Sequence, residues 1–142
     1  MPDTISQTPP QRPGAFPSTT ARAGLTGFPS PAENYAERTL DLNERLVKHP
    51  AATFFMRVEG HSMRAHGIHH GDILIVDRSV TARFGNIVIA LVDGEVVVKR
   101  LEQRHGRAFL CSGHPEHAPI PANEQSLQIW GVVRSVIHEF LT

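Results

Sequence analysis

Two residues of this chain have the chemistry for acyl transfer. Ser62 lies in Gly60-His61-Ser62-Met63, directly after the apolar run Phe54-Phe55-Met56-Arg57-Val58. That run reads as a strand, so Ser62 follows a strand end beside a glycine. A serine so placed can present its hydroxyl to a carbonyl, with the backbone N–H groups of His61 and Ser62 holding the oxyanion. Lys99 lies in Val96-Val97-Val98-Lys99-Arg100-Leu101. Strand alternation puts Val97, Lys99 and Leu101 on one face and Val96, Val98 and Arg100 on the other. One of the two cations must therefore share an apolar face. Desolvation lowers a lysine pKa, and a neutral amine can accept a serine proton. Gly-X-Ser turns are common, however, and a lysine at a strand edge can snorkel to water. These patterns alone leave both residues unassigned.

Histidines offer rival chemistry. His66, His69 and His70 are close in sequence, as are His114 and His117. Zinc ligands can be spaced this way, but the first three lie in a polar block that reads as a solvated loop. A Ser-His-Asp triad using Ser62 with Asp72, Asp77 or Asp93 is formally open, because triads are defined by geometry. Cys111, the single cysteine, sits in an apolar run and reads as an inert buried thiol. Trp130 reads as core or interface. Arg100, Arg104 and Arg107 read as a solvated basic face.

The elements that must position these groups are mostly strands. Ile73-Leu74-Ile75-Val76 follows a Gly71-Asp72 turn. Ile87–Val92 and Glu95–Leu101 flank Asp93-Gly94, a strong two-residue hairpin signal. Ala108–Cys111 is a weaker strand. Leu127–Ile137 is a long one, with Gly131 as a bulge. One short helix is expected over Asp41–Lys48, with Asp41 as cap, Glu44 at capping-box spacing, and Pro50 beyond its end. Short strands separated by turns imply a mostly-β, curled sheet.

Residues 1–32 have a different composition. They hold seven of the eleven prolines, dense Ser and Thr, and apolar residues without period. Such a segment buries too little surface to offset its ordering entropy, and reads as a flexible arm. It is too short and too Pro-rich for a helix-turn-helix. The expected organisation is an arm over 1–32 and a β domain over 33–142.

The chain has 142 residues, with Lys plus Arg and Asp plus Glu balanced at 14 each. No global field draws it toward nucleic acid. No run approaches the roughly 20 apolar residues of a membrane span, and no signal-peptide pattern is present. A lone cysteine fits a reducing compartment. The expected location is the cytoplasm.

The ordered motifs resemble those of the UmuD and LexA family of self-cleaving Ser–Lys peptidases. The resemblance runs from about Leu25 to Ile137. It rests on Gly27-Phe28-Pro29-Ser30-Pro31, Asp41-Leu42-Asn43, His49-Pro50, Gly60-His61-Ser62-Met63, Gly71-Asp72-Ile73-Leu74-Ile75-Val76-Asp77, Gly85-Asn86-Ile87-Val88-Ile89-Ala90 and Val98-Lys99-Arg100-Leu101. It implies a small domain of curled sheets like that of LexA and signal peptidases, with Ser62 as nucleophile and Lys99 as general base. It places the scissile bond between Thr26 and Gly27. This chain departs from the family there, since a β-branched threonine stands where LexA-type repressors have alanine. Ala23-Gly24, three residues upstream, carries the repressor-like pair. The resemblance further implies a homodimer, with Trp130, Val132 and Val133 as candidate interface. Its implied partners are a UmuC-type Y-family polymerase and a RecA–single-stranded-DNA filament that stimulates cleavage. No cofactor, metal or direct sequence-specific DNA binding is expected. Two alternatives share the fold: a catalytically inactive binding module, and a LexA-like regulator working through a partner's DNA-binding domain.

Overall fold

A computed structural model of the chain describes residues 14–16, 38–122 and 127–141. The described residues fall into two units that divide between Val47 and Lys48.

The smaller unit holds a strand pair and a short helix. Strand β1 (Gly14–Phe16) pairs antiparallel with β2 (Arg38–Leu40), Gly14 opposite Leu40 and Phe16 opposite Arg38. The sequence pattern shows no element before Asp41; β1 falls within residues 1–32, most of which lie outside the described residues. Gly14-Ala15-Phe16 is the stretch between Pro13 and Pro17 that keeps every backbone donor. Helix α1 (Leu42–Leu46) starts as expected: Asp41 accepts from the N–H groups of Asn43 and Glu44. It ends earlier than expected, with Val47 as C-cap. Thr26-Gly27 and Ala23-Gly24 lie outside the described residues.

The larger unit is a seven-stranded antiparallel sheet. Its strands are β3 (Thr53–Arg57), β4 (Ile73–Asp77), β5 (Ile87–Val92), β6 (Glu95–Arg104), β7 (Arg107–Cys111), β8 (Ile120–Pro121) and β9 (Leu127–Ile137). Their order across the sheet is β3-β4-β9-β5-β6-β7-β8. The mostly-β architecture is the expected one. The β5–β6 turn has both Asp93 and Gly94 at positive φ, as a two-residue hairpin of matching twist requires.

Two core clusters cover the sheet. One contains Met56, Val58, Met63, Ile68, Leu74, Val76 and Ile89. The other contains Val88, Ala90, Leu101, Leu110 and Val132. Strand β4 is apolar at consecutive positions because both of its faces are covered. Strand β9 lies between β4 and β5, so Val132 is only 5% exposed and buried in the chain's own core. That corrects Val132 as candidate interface. Trp130 and Val133 are partly buried against the first cluster. The Trp130 ring also packs on Phe54 and carries the Arg78 guanidinium 4.3 Å above its centre. The expected basic face is also corrected at Arg100, which is half-buried with an unpartnered, buried Nε.

Two carboxylates bind the sheet margins. Buried Asp77 accepts from His49 Nδ1 at 2.6 Å and from both Ser79 N–H and Ser79 Oγ. Buried Asp72 accepts from His69 N–H and is paired with His138 Nδ1. Burial pushes both carboxyls up. Hydrogen bonds from His69 and His138 to Asp72, and from Ser79 and His49 to Asp77, outweigh it and leave both below the usual carboxylate value. A depressed acid contributes stability that is complete above its unfolded pKa and lost as pH falls through the folded one. The denaturation midpoint should therefore fall as pH drops below about 4. Asp77→Asn should be less stable at neutral pH by about 1–3 kcal/mol, with a shallower acid decline in urea titrations.

Candidate active site

The loop between β3 and β4 carries Ser62. Its base is closed by Val58 N–H donating to Asp72 O and Gly71 N–H donating to Val58 O. Gly60 takes a positive φ, and its N–H donates to His70 Nδ1 at 3.0 Å. That bond requires an unprotonated Nδ1 on His70. Just past Ser62, the buried Met63 and Ile68 anchor the loop in the first core cluster. Ser62 is thus held between a bonded glycine and a buried methionine. It is half-buried.

Strand β6 carries Lys99, opposite Val88 of β5. Alternation places it beside Val97 and Leu101, and it is only 9% exposed. Burial drives its ammonium below the ordinary lysine value, and nearby Cys111 opposes the shift with less effect. Cys111 is itself buried, which pushes its thiol up. That fits an inert thiol.

Ser62 and Lys99 line one cleft of about 420 Å³, together with Met63, Glu95, His117 and Ile120. In sheet order β3 and β6 have three strands between them. Only a strongly curled sheet brings the end of one to the side of the other. The curl has a local source in β9, where register shifts interrupt its pairing with both neighbours. Bulges bend a strand and raise its twist.

The cleft also runs along an open strand edge. Strand β7 pairs with β6 only over Arg100–Arg104. Among the described residues, Glu95–Lys99 pair with β5 alone. In the tight hairpin the main-chain groups of Glu95, Val97 and Lys99 point toward β5, and Leu101 N–H continues that pattern by donating to Asn86 O. Those of Val96 and Val98 point outward along the cleft. Among the described residues, the N–H groups of His61 and Ser62 have no hydrogen-bond acceptor.

The rival chemistries are not assembled. The cleft wall is formed without Asp72, Asp77 or Asp93, while Asp72 and Asp77 bind His138 and His49 elsewhere. His66 is half-buried, His69 packs at a tilt against His138, and His114 meets His117 edge-to-face. Among the described residues, no group of three or more His, Cys, Asp or Glu side chains is placed to hold a metal ion. Also among them, no helix is long and apolar enough to cross a membrane.

A model of the peptidase S24-like family matches residues 20–134. The chain belongs to that family. It is 48% identical over 109 residues to the protein MucA of Escherichia coli, covering 75% of this chain and 74% of that protein. It is 48% identical over 113 residues to the protein ImpA of Shigella flexneri, covering 79% and 77%. Both are UmuD-like. It is 38% identical to the LexA repressor of Pseudomonas chlororaphis over 113 residues, 78% of this chain and 55% of the repressor. Members of the S24 family cleave themselves. For this member, the matched span includes both walls of the cleft.

Proposed function

We propose that this protein is a self-cleaving serine peptidase with Ser62 as nucleophile and Lys99 as general base, cutting its own arm between Thr26 and Gly27. One observation carries the reading. A serine and a buried lysine with a depressed pKa share a cleft, and the cleft flanks an unpaired strand edge. The arm binds that edge as an added strand, using the outward main-chain groups of Val96 and Val98.

The chemistry then follows. Neutral Lys99 takes the Ser62 hydroxyl proton as Oγ attacks the Thr26 carbonyl carbon. The N–H groups of His61 and Ser62 hold the oxyanion. The C–N bond breaks, and the Lys99 ammonium returns its proton to the departing Gly27 amine. Water, deprotonated by Lys99, releases residues 1–26 and restores Ser62. A tethered arm has a high effective concentration at its own or a second copy's cleft.

The UmuD-like relatives support a role in the SOS response to DNA damage. The proposed setting is an accessory homodimer of a UmuC-type Y-family polymerase in the cytoplasm, with cleavage stimulated by a RecA–single-stranded-DNA filament. Mass spectrometry after alkaline incubation tests the peptidase. Loss of residues 1–26 from the wild type, absent in Ser62→Ala, is expected. An intact wild-type chain, with and without the activated filament, would favour the binding-module reading.

A further inference from the structure

Glu95 and Lys99 are four residues apart on one strand, so they share a face about 13 Å apart. Glu95 is exposed and lines the cleft, and among the described residues no cation pairs with it. The arm repeats this spacing. Arg22 precedes Thr26 by four residues, and it is the only cation between Arg12 and Arg38.

The direction of docking follows from the prolines. Downstream of the scissile bond, Pro29 and Pro31 lack the N–H groups that edge pairing uses. Upstream, Ala21–Thr26 is Pro-free and offers a donor at every residue. An arm that docks on the open edge would therefore pair through its upstream segment. That edge extends from Lys99 toward Glu95, since β7 covers β6 from Arg100 onward. With the Thr26 carbonyl at Ser62, the arm runs parallel to β6 and Arg22 arrives at Glu95.

Resting on the Ser62–Lys99 reading above, we propose that Glu95 is a specificity-determining residue: it receives the Arg22 guanidinium and sets the register in which Thr26-Gly27 is cut. The pairing also chooses between the two candidate bonds. With Ala23-Gly24 at Ser62, Thr19 would stand four residues upstream and Arg22 would face the opposite side. The arm can come from the same chain or from a second copy.

The test uses the full chain at alkaline pH, with cleavage rate and product masses as readouts. Glu95→Lys and Arg22→Glu should each slow cleavage about three- to tenfold, as loss and reversal of an exposed pair imply. Each should raise the share of cutting after Ala23. The Glu95→Lys/Arg22→Glu double variant should return to within about twofold of the wild type, since the reversed pair restores the same attraction. Glu59→Lys, at the other acid lining the cleft, should have no such complement in Arg22→Glu. Wild-type rates in both single variants, or rescue through Glu59, would overturn the proposal.

A second measurement separates it from the dyad. In the Ser62→Ala chain, a synthetic peptide of residues 19–31 should bind more weakly when it carries Arg22→Glu, and Glu95→Lys should restore its affinity. Indifference to that exchange overturns the pairing whether or not the protein cuts itself. Cleavage that persists in Ser62→Ala overturns the dyad instead.

Discussion

Lys99→Met should stop self-cleavage and at the same time make the protein more stable at neutral pH. The kinetic loss follows from the role of the amine. Methionine fills the same unbranched volume but accepts no proton, and loss of a general base costs about 10²–10⁴ in rate. The stability gain follows from burial. Lys99 is 9% exposed, with no ion-pair or hydrogen-bond partner among the described residues to offset its desolvation. Relief of such a functional-site penalty commonly yields about 0.5–2 kcal/mol. The sign depends on pH. Below the depressed folded-state pKa both states bind the proton, and the full penalty stands. Above it the folded protein holds Lys99 neutral while the unfolded chain stays protonated up to about 10.4. Wild-type stability therefore rises with pH across that interval, and the advantage of Lys99→Met shrinks. Urea titrations at pH 7 and pH 10 measure both values. Wild-type cleavage should instead climb below the folded-state pKa, about tenfold per pH unit, and level off above it, where Lys99 is already neutral. A rate that does not fall as pH is lowered from that plateau would sink the assignment of Lys99 as base. A destabilised Lys99→Met would mean that the ammonium is stabilised in the folded state.

The parts of the site that were legible in the sequence are those set by local rules. Strand alternation placed Lys99 between Val97 and Leu101, and the structure buries it there. Asp93-Gly94 identified the hairpin that carries it. What alternation does not contain is long-range order. Nothing in Leu127–Ile137 itself says that β9 lies between β4 and β5, so Val132 reads as available when it is core. The open edge of β6 was equally hidden, because it depends on where β7 stops pairing. Two further local signals stand in the sequence. His105-Gly106 takes positive φ at both residues and closes the β6–β7 hairpin, as Asp93-Gly94 does for β5–β6. Ile120-Pro121 is too short to show a period, yet pairs with Phe109 and Leu110. The resemblance to a family supplied the roles proposed for Ser62 and Lys99, and the sheet curl supplies a physical reason for both to line one cleft.

Gly131→Ala tests whether that curl maintains the site. Against β5, Ile89 faces Gly131 and Ala90 faces Ile129, which leaves Trp130 as the extra residue of a bulge. Against β4, Ile75 faces Ser135 and Val76 faces Val133, which leaves Arg134 extra. Gly131, the residue expected to form the bulge, lies between these two irregularities, and the extra residue opposite β5 is its neighbour Trp130. A Cβ there would stand 2.7 Å from Val76 Cγ1 and 3.4 Å from Arg78 Cγ. Val76 is fully buried and β-branched, so it has no free rotamer to retreat into. Overpacking of this kind costs about 1–3 kcal/mol. The effect on cleavage should be larger than the stability loss implies. Strand β9 joins β4, at the end of the Ser62 loop, to β5, whose hairpin partner carries Lys99. Spreading β9 from β4 separates the two sides of the cleft, and a displacement of about 1 Å at reacting groups can cost 10²-fold. At a temperature where Gly131→Ala remains folded by circular dichroism, its cleavage should be at least tenfold slower than wild type, within that range. Val76→Ala removes the clashing methyls. The double variant should recover both cleavage and at least about 1 kcal/mol relative to the sum of the single losses. Additive losses, with cleavage unchanged in Gly131→Ala, would show that the dyad does not depend on the close approach of β9 to β4.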